Sequence, residues 1–334
     1  SDNSCGFRNE RGAQDAIFKV IGYTDLGYEW AVDIDFEKYF DTVNHDKLIS
    51  ILRERVKDDK TLHLIRTFLK AGVMENGLVS PNKEGVPQGG PLSPILSNIY
   101  LDKLDKELEA RGLHFVRYAD DFDIFVKSEM AADRVMKSVS SWLERKLFLK
   151  VSATKTKVVR PTNSNFLGFT FWKDAKGWKP KPTDDRKKKL YDKVREVLTR
   201  KRASAIPLAI TFTKLNQIIR GWINYFRIGS MKKFLEKFGE WLRHKVRVII
   251  VKQWKKPKTK LKNLMKLGVP EYFARMAANS RRGYWFTAET GAVKRAITNE
   301  RLIRAGYFEL SAAYESIQSA CVGRAVYRTV CTVR

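Results

Sequence analysis

The chain has 334 residues, 43% hydrophobic and 12% aromatic, with a net charge of +27, enough apolar material for two or three packed domains and too much for a disordered chain. Its most apolar cluster of note, VRVIIV at 246–251, has an Arg inside it and is too short to span a membrane, and the opening SDNSCGFRNE has no secretory or transit pattern. Residues 1–160 hold 25 basic and 25 acidic groups while 161–334 hold 39 and 12, and an excess spread over half a chain rich in Trp, Tyr and Phe points to nucleic acid rather than an anionic membrane.

In chain order, EWAVDIDF (29–36) alternates with period two. Trp30, Val32, Ile34 and Phe36 fall on one face, and Ala31, Asp33 and Asp35 on the other. Residues 45–56 and 61–72 carry helical patterns, the second stopped by Gly72. In GVPQGGPLSPILSNIYLDKLDKELEARG (85–112), Ser93 is placed as N-cap and Pro94 in the first turn. Ile95, Ile99, Leu104 and Leu108 form the apolar stripe, and Gly112 is the stop. HFVRYADDFDIFV (114–126) is expected to be a hairpin, 131–147 a helix, and 157–159 and 166–171 short strands. WKDAKGWKPKP (172–182) is a break in composition, which divides the chain into domains 1–172 and 173–334. Beyond it the pattern is helical: 184–202 capped by Asp184 with Leu190, Val194 and Val197 inward, then 215–226 and 231–254, whose aromatic stripes belong to a core. KKPKTKLKNLMK (255–266) is expected to be a basic connector.

The chemistry lies in the acidic residues. Cys5, Cys321, Cys331 and the four histidines show neither a disulfide framework nor zinc-ligand spacing, so the chain is expected to be reduced and intracellular. RYADDFDIFV (117–126) sets Asp120 and Asp121 side by side between strand-forming residues. Two readings compete: a hairpin turn that Asp tolerates, or a divalent-cation site that holds like charges together. A strand ending at Asp35, laid beside this hairpin in one antiparallel sheet, gathers three carboxylates at one point. Two magnesium ions clamped about 4 Å apart by such carboxylates are the general device for in-line displacement at phosphorus.

VDIDFEKYFDTVNH, GVPQGGPLSPILSNIYL, RYADDFDIFV, KVSATKTKVV and FLGFTF, in this order, resemble the palm of reverse transcriptases. They are most similar to the group II intron-encoded reverse transcriptase/maturases, and RGWINYF resembles their maturase, or thumb, region. The resemblance runs from near residue 5 to the carboxyl end. It implies an α+β fold: a right-hand polymerase palm and partial fingers, with an antiparallel sheet and flanking helices, followed by an α-helical thumb/maturase domain. It further implies an RNA-directed DNA polymerase using two Mg²⁺ ions (Mn²⁺ as a substitute). The partners implied are an RNA template, a DNA or RNA primer, deoxynucleoside triphosphates and structured intron RNA, in the cytoplasm of a bacterial cell.

Carried over residue by residue, Asp35, Asp120 and Asp121 match the metal-binding aspartates. Phe40 and Asp41, five and six residues on, select Asp35 over Asp33, which is left a supporting or salt-bridge contact. Phe40 matches the aromatic under the sugar that excludes a 2′-hydroxyl. Gln88 and the Gly89–Gly90 loop match the nucleotide and template contacts, and Lys155 a proton donor to pyrophosphate. Phe166, Leu167 and Gly168 match the primer grip, and Arg8 and Arg11 phosphate contacts of the fingers. Ser152 stands where the family often has Asn. The family carries a further fingers block upstream of CGFRNERGAQDAI, after which this chain starts, so either it is a fragment or its fingers are truncated; no cysteine–histidine arrangement of the family's zinc-dependent endonuclease is present. Two functional readings follow, polymerase and RNA-binding maturase without polymerisation; a domesticated or defence-associated relative is a third.

Overall fold

The computed structural model describes residues 1–319 apart from 72, 76–77, 81–83 and 88, and only the backbone of 73–75 and 78–80. Gln88, Gly72, Cys321 and Cys331 therefore lie outside the described residues. The chain divides into two compact units, Ser1–Lys181 and Pro182–Arg334.

The first unit runs α1 (Ala13–Asp25), β1 (Trp30–Ile34), α2 (Tyr39–Thr42), α3 (His45–Arg53), α4 (Asp59–Lys70), β2 (Val73–Glu75), β3 (Leu78–Ser80), α5 (Ser93–Ala110), β4 (His114–Tyr118), β5 (Asp121–Val126), α6 (Glu129–Leu147), β6 (Lys157–Val159), β7 (Phe169–Asp174) and β8 (Gly177–Pro182). Four strands form one antiparallel sheet in the order β4-β5-β1-β6. Its period-two pattern sends Val32, Ile34, Phe122 and Ile124 into a core completed by Leu101 and Leu104 of α5 and Val139 and Leu143 of α6, each at most 1% exposed. Burying each such side chain contributes about 1.5–3 kcal/mol, which fixes the register, since a one-residue slip would send the aspartates inward. On the sheet's other face Phe125 meets Tyr23 of α1, ring centroids 5.9 Å apart.

Three local expectations are corrected here. Ser93 is the first helical residue of α5, behind Leu92 as N-cap, because its hydroxyl donates to the carbonyl of Pro87. Ile95 is 57% exposed, and Leu96, Tyr100 and Leu101 take the inward positions beside Leu104 and Leu108. The stretch 172–182 is most of the β7–β8 hairpin rather than an irregular linker, and the division between the two units falls at its end. Its alternating Trp178, Pro180 and Pro182 are buried, and Pro is tolerated there because this two-stranded ribbon has free edges.

The second unit comprises α7 (Asp184–Val197), α8 (Arg200–Ala203), α9 (Leu208–Phe226), α10 (Lys232–Gln253), α11 (Pro257–Lys266), α12 (Glu271–Ala278), α13 (Gly283–Glu289), α14 (Gly291–Ala296) and α15 (Asn299–Arg304). Its core is set by helical periodicity: Leu190 and Val194 of α7, Phe212, Leu215, Ile219 and Ile223 of α9, and Leu235, Phe238 and Leu242 of α10. Tyr191 packs edge-on against Phe238 and Trp241, at 4.9 and 4.7 Å, so the aromatic stripes are core. Thr183 rather than Asp184 precedes α7 as its N-cap residue. The basic segment 255–266 forms α11, seated by Leu264, instead of a connector. Among the described residues no helix is long and apolar enough to cross a membrane.

Candidate active site

Strand register brings the acidic motifs together. β1 and β5 pair with Ile34 opposite Phe122, so Asp35 leaves the sheet at the end where β4 turns into β5. Tyr118 faces Asp121 across that hairpin, leaving Ala119 and Asp120 as its two-residue turn. Asp120 thus stands in a tight turn and within the influence of the Asp35 charge. Partial burial raises the Asp120 carboxyl above its ordinary pKa, and the Asp35 charge pushes the same way.

Asp121 behaves differently. It is exposed, opens β5, and its charge acts on Asp123, two residues along the same strand face. Among the described residues no three His, Cys, Asp or Glu side chains close into a group that could hold a metal ion. One step past the last register pair Asp35 comes level with Asp121, and Asp120 stands next to it in the turn, so the three expected carboxylates fall at one end of the sheet. Two carboxylates facing each other, one of them desolvated, are hard oxygen donors whose mutual repulsion a divalent cation relieves, and the residues present fit such an ion.

The loop of 152–156 clasps Asp35 from its far side. The Ser152 amide donates to the Asp35 carbonyl at 2.8 Å, and the Asp35 amide donates to Thr156 Oγ1 at 3.3 Å. Lys155 reaches Asp35 Oδ1 with its ammonium at 3.4 Å while remaining 67% exposed. Ser152 serves here through its backbone, so the family's Asn is not needed for this clasp. Asp33 forms an ion pair with Lys157 at 3.6 Å, and sits opposite the buried Asp123.

Phe40 is half-buried at the edge of the core, edge-on to Tyr39 at 5.1 Å. The loop before the PQGG motif is fastened to it: the Val86 amide donates to the Phe40 carbonyl at 2.6 Å and the Gly85 amide to Val43 at 2.8 Å. His45 Nε2 donates to the Gly85 carbonyl at 2.6 Å. Gly89 has φ +83° with open space around it. In FLGFTF, Leu167 and Gly168 both have positive φ and form a two-residue turn between Phe166 and Phe169, so the strand starts at Phe169. Phe166 is buried, leaving Leu167 as the partly exposed side chain of the three.

The two fingers arginines part company. Arg8 is exposed, whereas Arg11 donates to the carbonyls of Ser1, Asp2 and Ser4 at 3.1–3.2 Å and to the Asp2 carboxylate at 2.8 Å. The Arg11 guanidinium is thus taken up in tying residues 1–4, not presented to a phosphate. Sequence reasoning passed over Arg117, Asp105, His45 and Gly85. A charged residue inside the apolar strand HFVRY, with Asn98 and Asp105 spaced seven apart on one face of a helix, was the available signal for the first two.

The family model for reverse transcriptase (RNA-dependent DNA polymerase) matches residues 1–171, and that for the group II intron maturase-specific domain matches 187–268. Protein YkfC of Escherichia coli is 33% identical over 202 residues, 49% of this chain and 53% of its own length. The group II intron-encoded protein LtrA of Lactococcus lactis is 30% identical over 233 residues, 50% of this chain and 39% of its own. The chain thus spans about half, or less, of the length of these curated relatives. Apo telomerase from Candida tropicalis aligns over 95% of this chain and 57% of its own at 14% identity, with a TM-score of 0.46. Enzymes of the matched family work with divalent metal ions. With its first model covering more than half of the sequence, the chain belongs to the reverse transcriptase family, of the kind encoded by group II introns.

Proposed function

We propose that the chain carries out RNA-templated DNA synthesis and that its basic half holds structured intron RNA in a maturase role. The observation that carries the first part is the strand register that sets Asp35 against the Asp120 turn, with Lys155 on the Asp35 carboxylate. Asp35 and Asp120 are the principal ligands for two Mg²⁺ ions, with Asp121 assisting from the first position of β5. When bound, the ions, for which Mn²⁺ can substitute, supply the Lewis acidity that activates a primer 3′-hydroxyl and neutralises the departing pyrophosphate.

The remaining work falls to side chains and backbone. Positioning and charge neutralisation suffice for this chemistry, so no protein nucleophile is required. Lys155, exposed and 3.4 Å from Asp35 Oδ1, would be the group that hands a proton to the departing pyrophosphate. Phe40 lies beneath the deoxyribose, where its ring leaves no room for a 2′-hydroxyl. The Gln88–Gly89 loop and Arg8 contact the incoming nucleotide, and the 166–168 turn supports the primer.

The second reading, RNA binding without polymerisation, is favoured by the charge excess of residues 161–334 and by cations laid on aromatic rings in the second unit, such as Arg195 over Trp241 at 5.8 Å. Primer extension on an RNA template separates the two. Asp120→Ala is expected to abolish incorporation by the parent chain while RNA affinity survives. Equal extension by both proteins removes the catalytic assignment, and absence of extension by the parent with tight RNA binding selects the second reading.

A further inference from the structure

Ala119, the residue before Asp120, has φ +59°, the left-handed region that side chains other than glycine rarely occupy. It is 6% exposed and sits in a turn only two residues long. Such a conformation persists only where its surroundings over-determine it, and here the surroundings can be named.

Arg117, two residues earlier, is fully buried. Its Nη1 donates to the Ala119 carbonyl at 2.8 Å and to Asn98 Oδ1 at 3.1 Å. Nη2 donates to Ser4 Oγ at 2.9 Å and Asp105 Oδ2 at 2.6 Å, and Nε donates to Asp105 Oδ1 at 2.6 Å. The five N–H donors of a guanidinium thus meet five acceptors, and a fully buried Asp105 neutralises the charge. From below, residues 3–6 press on the same turn. Cys5 donates its amide to the Arg117 carbonyl at 2.8 Å, and Arg117 donates its own to Asn3 at 2.9 Å. Gly6, whose carbonyl accepts from Asn98 Nδ2 at 3.0 Å, lies so close that a Cβ would run into the backbone of Tyr118 and Ala119.

We propose that Arg117, held by Asp105 and Asn98 and backed by Gly6, is a positioning residue that fixes the strained Ala119 turn and so aims the Asp120 carboxylate at Asp35. None of these groups touches the reacting atoms. The inference rests on the polymerase reading for its consequence in turnover, and on geometry alone for its consequence in cation binding.

The test uses the full chain and three variants: Ala119→Gly, Gly6→Ala and Arg117→Lys, the last keeping the charge but losing the fork. Single-nucleotide extension gives kcat, KM and the Mg²⁺ concentration for half-maximal rate. Electron paramagnetic resonance titration gives Mn²⁺ affinity independently of turnover, with Asp120→Asn as the reference for a damaged site, and thermal melting reports folding. All three variants should lose about 10- to 100-fold in kcat with little change in KM for the nucleotide, and should bind Mn²⁺ more weakly than the parent. Ala119→Gly is decisive, because it removes only one methyl group, leaves every hydrogen bond of the turn in place and relieves backbone strain. Its melting temperature should hold or rise while kcat and Mn²⁺ affinity fall, a combination that a purely structural ion pair does not produce. Parent-like kcat and Mn²⁺ affinity in Ala119→Gly and Gly6→Ala overturn the proposal. If the parent does not extend primers yet its Mn²⁺ affinity drops in the variants, the polymerase reading fails and the positioning role stands. Failure of the parent to bind Mn²⁺ at Asp35 and Asp120 overturns the positioning role as well.

Discussion

Gly85→Ala tests the seam between the PQGG loop and the residue assigned under the sugar. Gly85 has φ +91°, where an L-residue costs about 1–2 kcal/mol. A Cβ there would lie 2.6 Å from the Phe40 carbonyl oxygen and 2.8 Å from that of Asp41, both backbone atoms that cannot swing aside. Overpacking of this kind costs about 1–3 kcal/mol, so the total is roughly 2–5 kcal/mol unless the loop moves. Moving it breaks the Val86–Phe40 and Gly85–Val43 hydrogen bonds and the His45 contact, at about 0.5–1.5 kcal/mol each. Either way stability falls by a similar amount, and the Phe40 backbone loses its anchor. For a unit of this size, thermal melting should drop by about 5–15 °C, and the preference for deoxynucleotides over ribonucleotides in single-nucleotide extension should narrow. A melting shift within about 1 °C together with unchanged sugar selectivity would refute the reasoning, because one of the two has to yield to a Cβ at that point.

Phe40→Ala should relax discrimination against ribonucleotides with a smaller stability loss than a fully buried Phe, since the ring is only half-buried; parallel kinetics with the two sugar types decides it. Asp105→Ala should cost about 3–5 kcal/mol in urea unfolding of the first unit, because it strands the buried Arg117 charge, and a loss under about 1 kcal/mol would mean that Arg117 is wetter than its burial indicates. RNA binding should weaken steeply with salt, by about 10³-fold between 50 and 200 mM if six or more phosphates are contacted, and a flat dependence measured by filter binding would count against the basic half as the RNA-holding surface.

The readable parts of the fold were those in which a local pattern had one solution. Period-two alternation in EWAVDIDF specified a strand, and in β1 Asp33 falls on the face opposite Val32 and Ile34. Helical stripes did the same for α7, α9 and α10. Segment 255–266 was misread because its lysines hide a one-sided helix in which Leu264 is the buried apolar side chain. The 172–182 hairpin was misread because its prolines argue against strand only in a sheet interior.

Sequence alone therefore supplied the candidates for the site, its carboxylates, lysine and glycine loop, and the charge excess of one half of the chain. Only the folded chain decided how they stand. Cross-strand pairing carried Asp35 to the end of the sheet where Asp121 opens β5 and Asp120 stands in the turn, since a side chain's place at the end of a strand depends on the neighbour it pairs with, not on its own identity. The same holds for Arg11 and Arg117, two arginines of one chemical type. One ties down residues 1–4, and the other spends all five donors under the Asp120 turn, because acceptors distant in sequence converge on it only once the chain is folded.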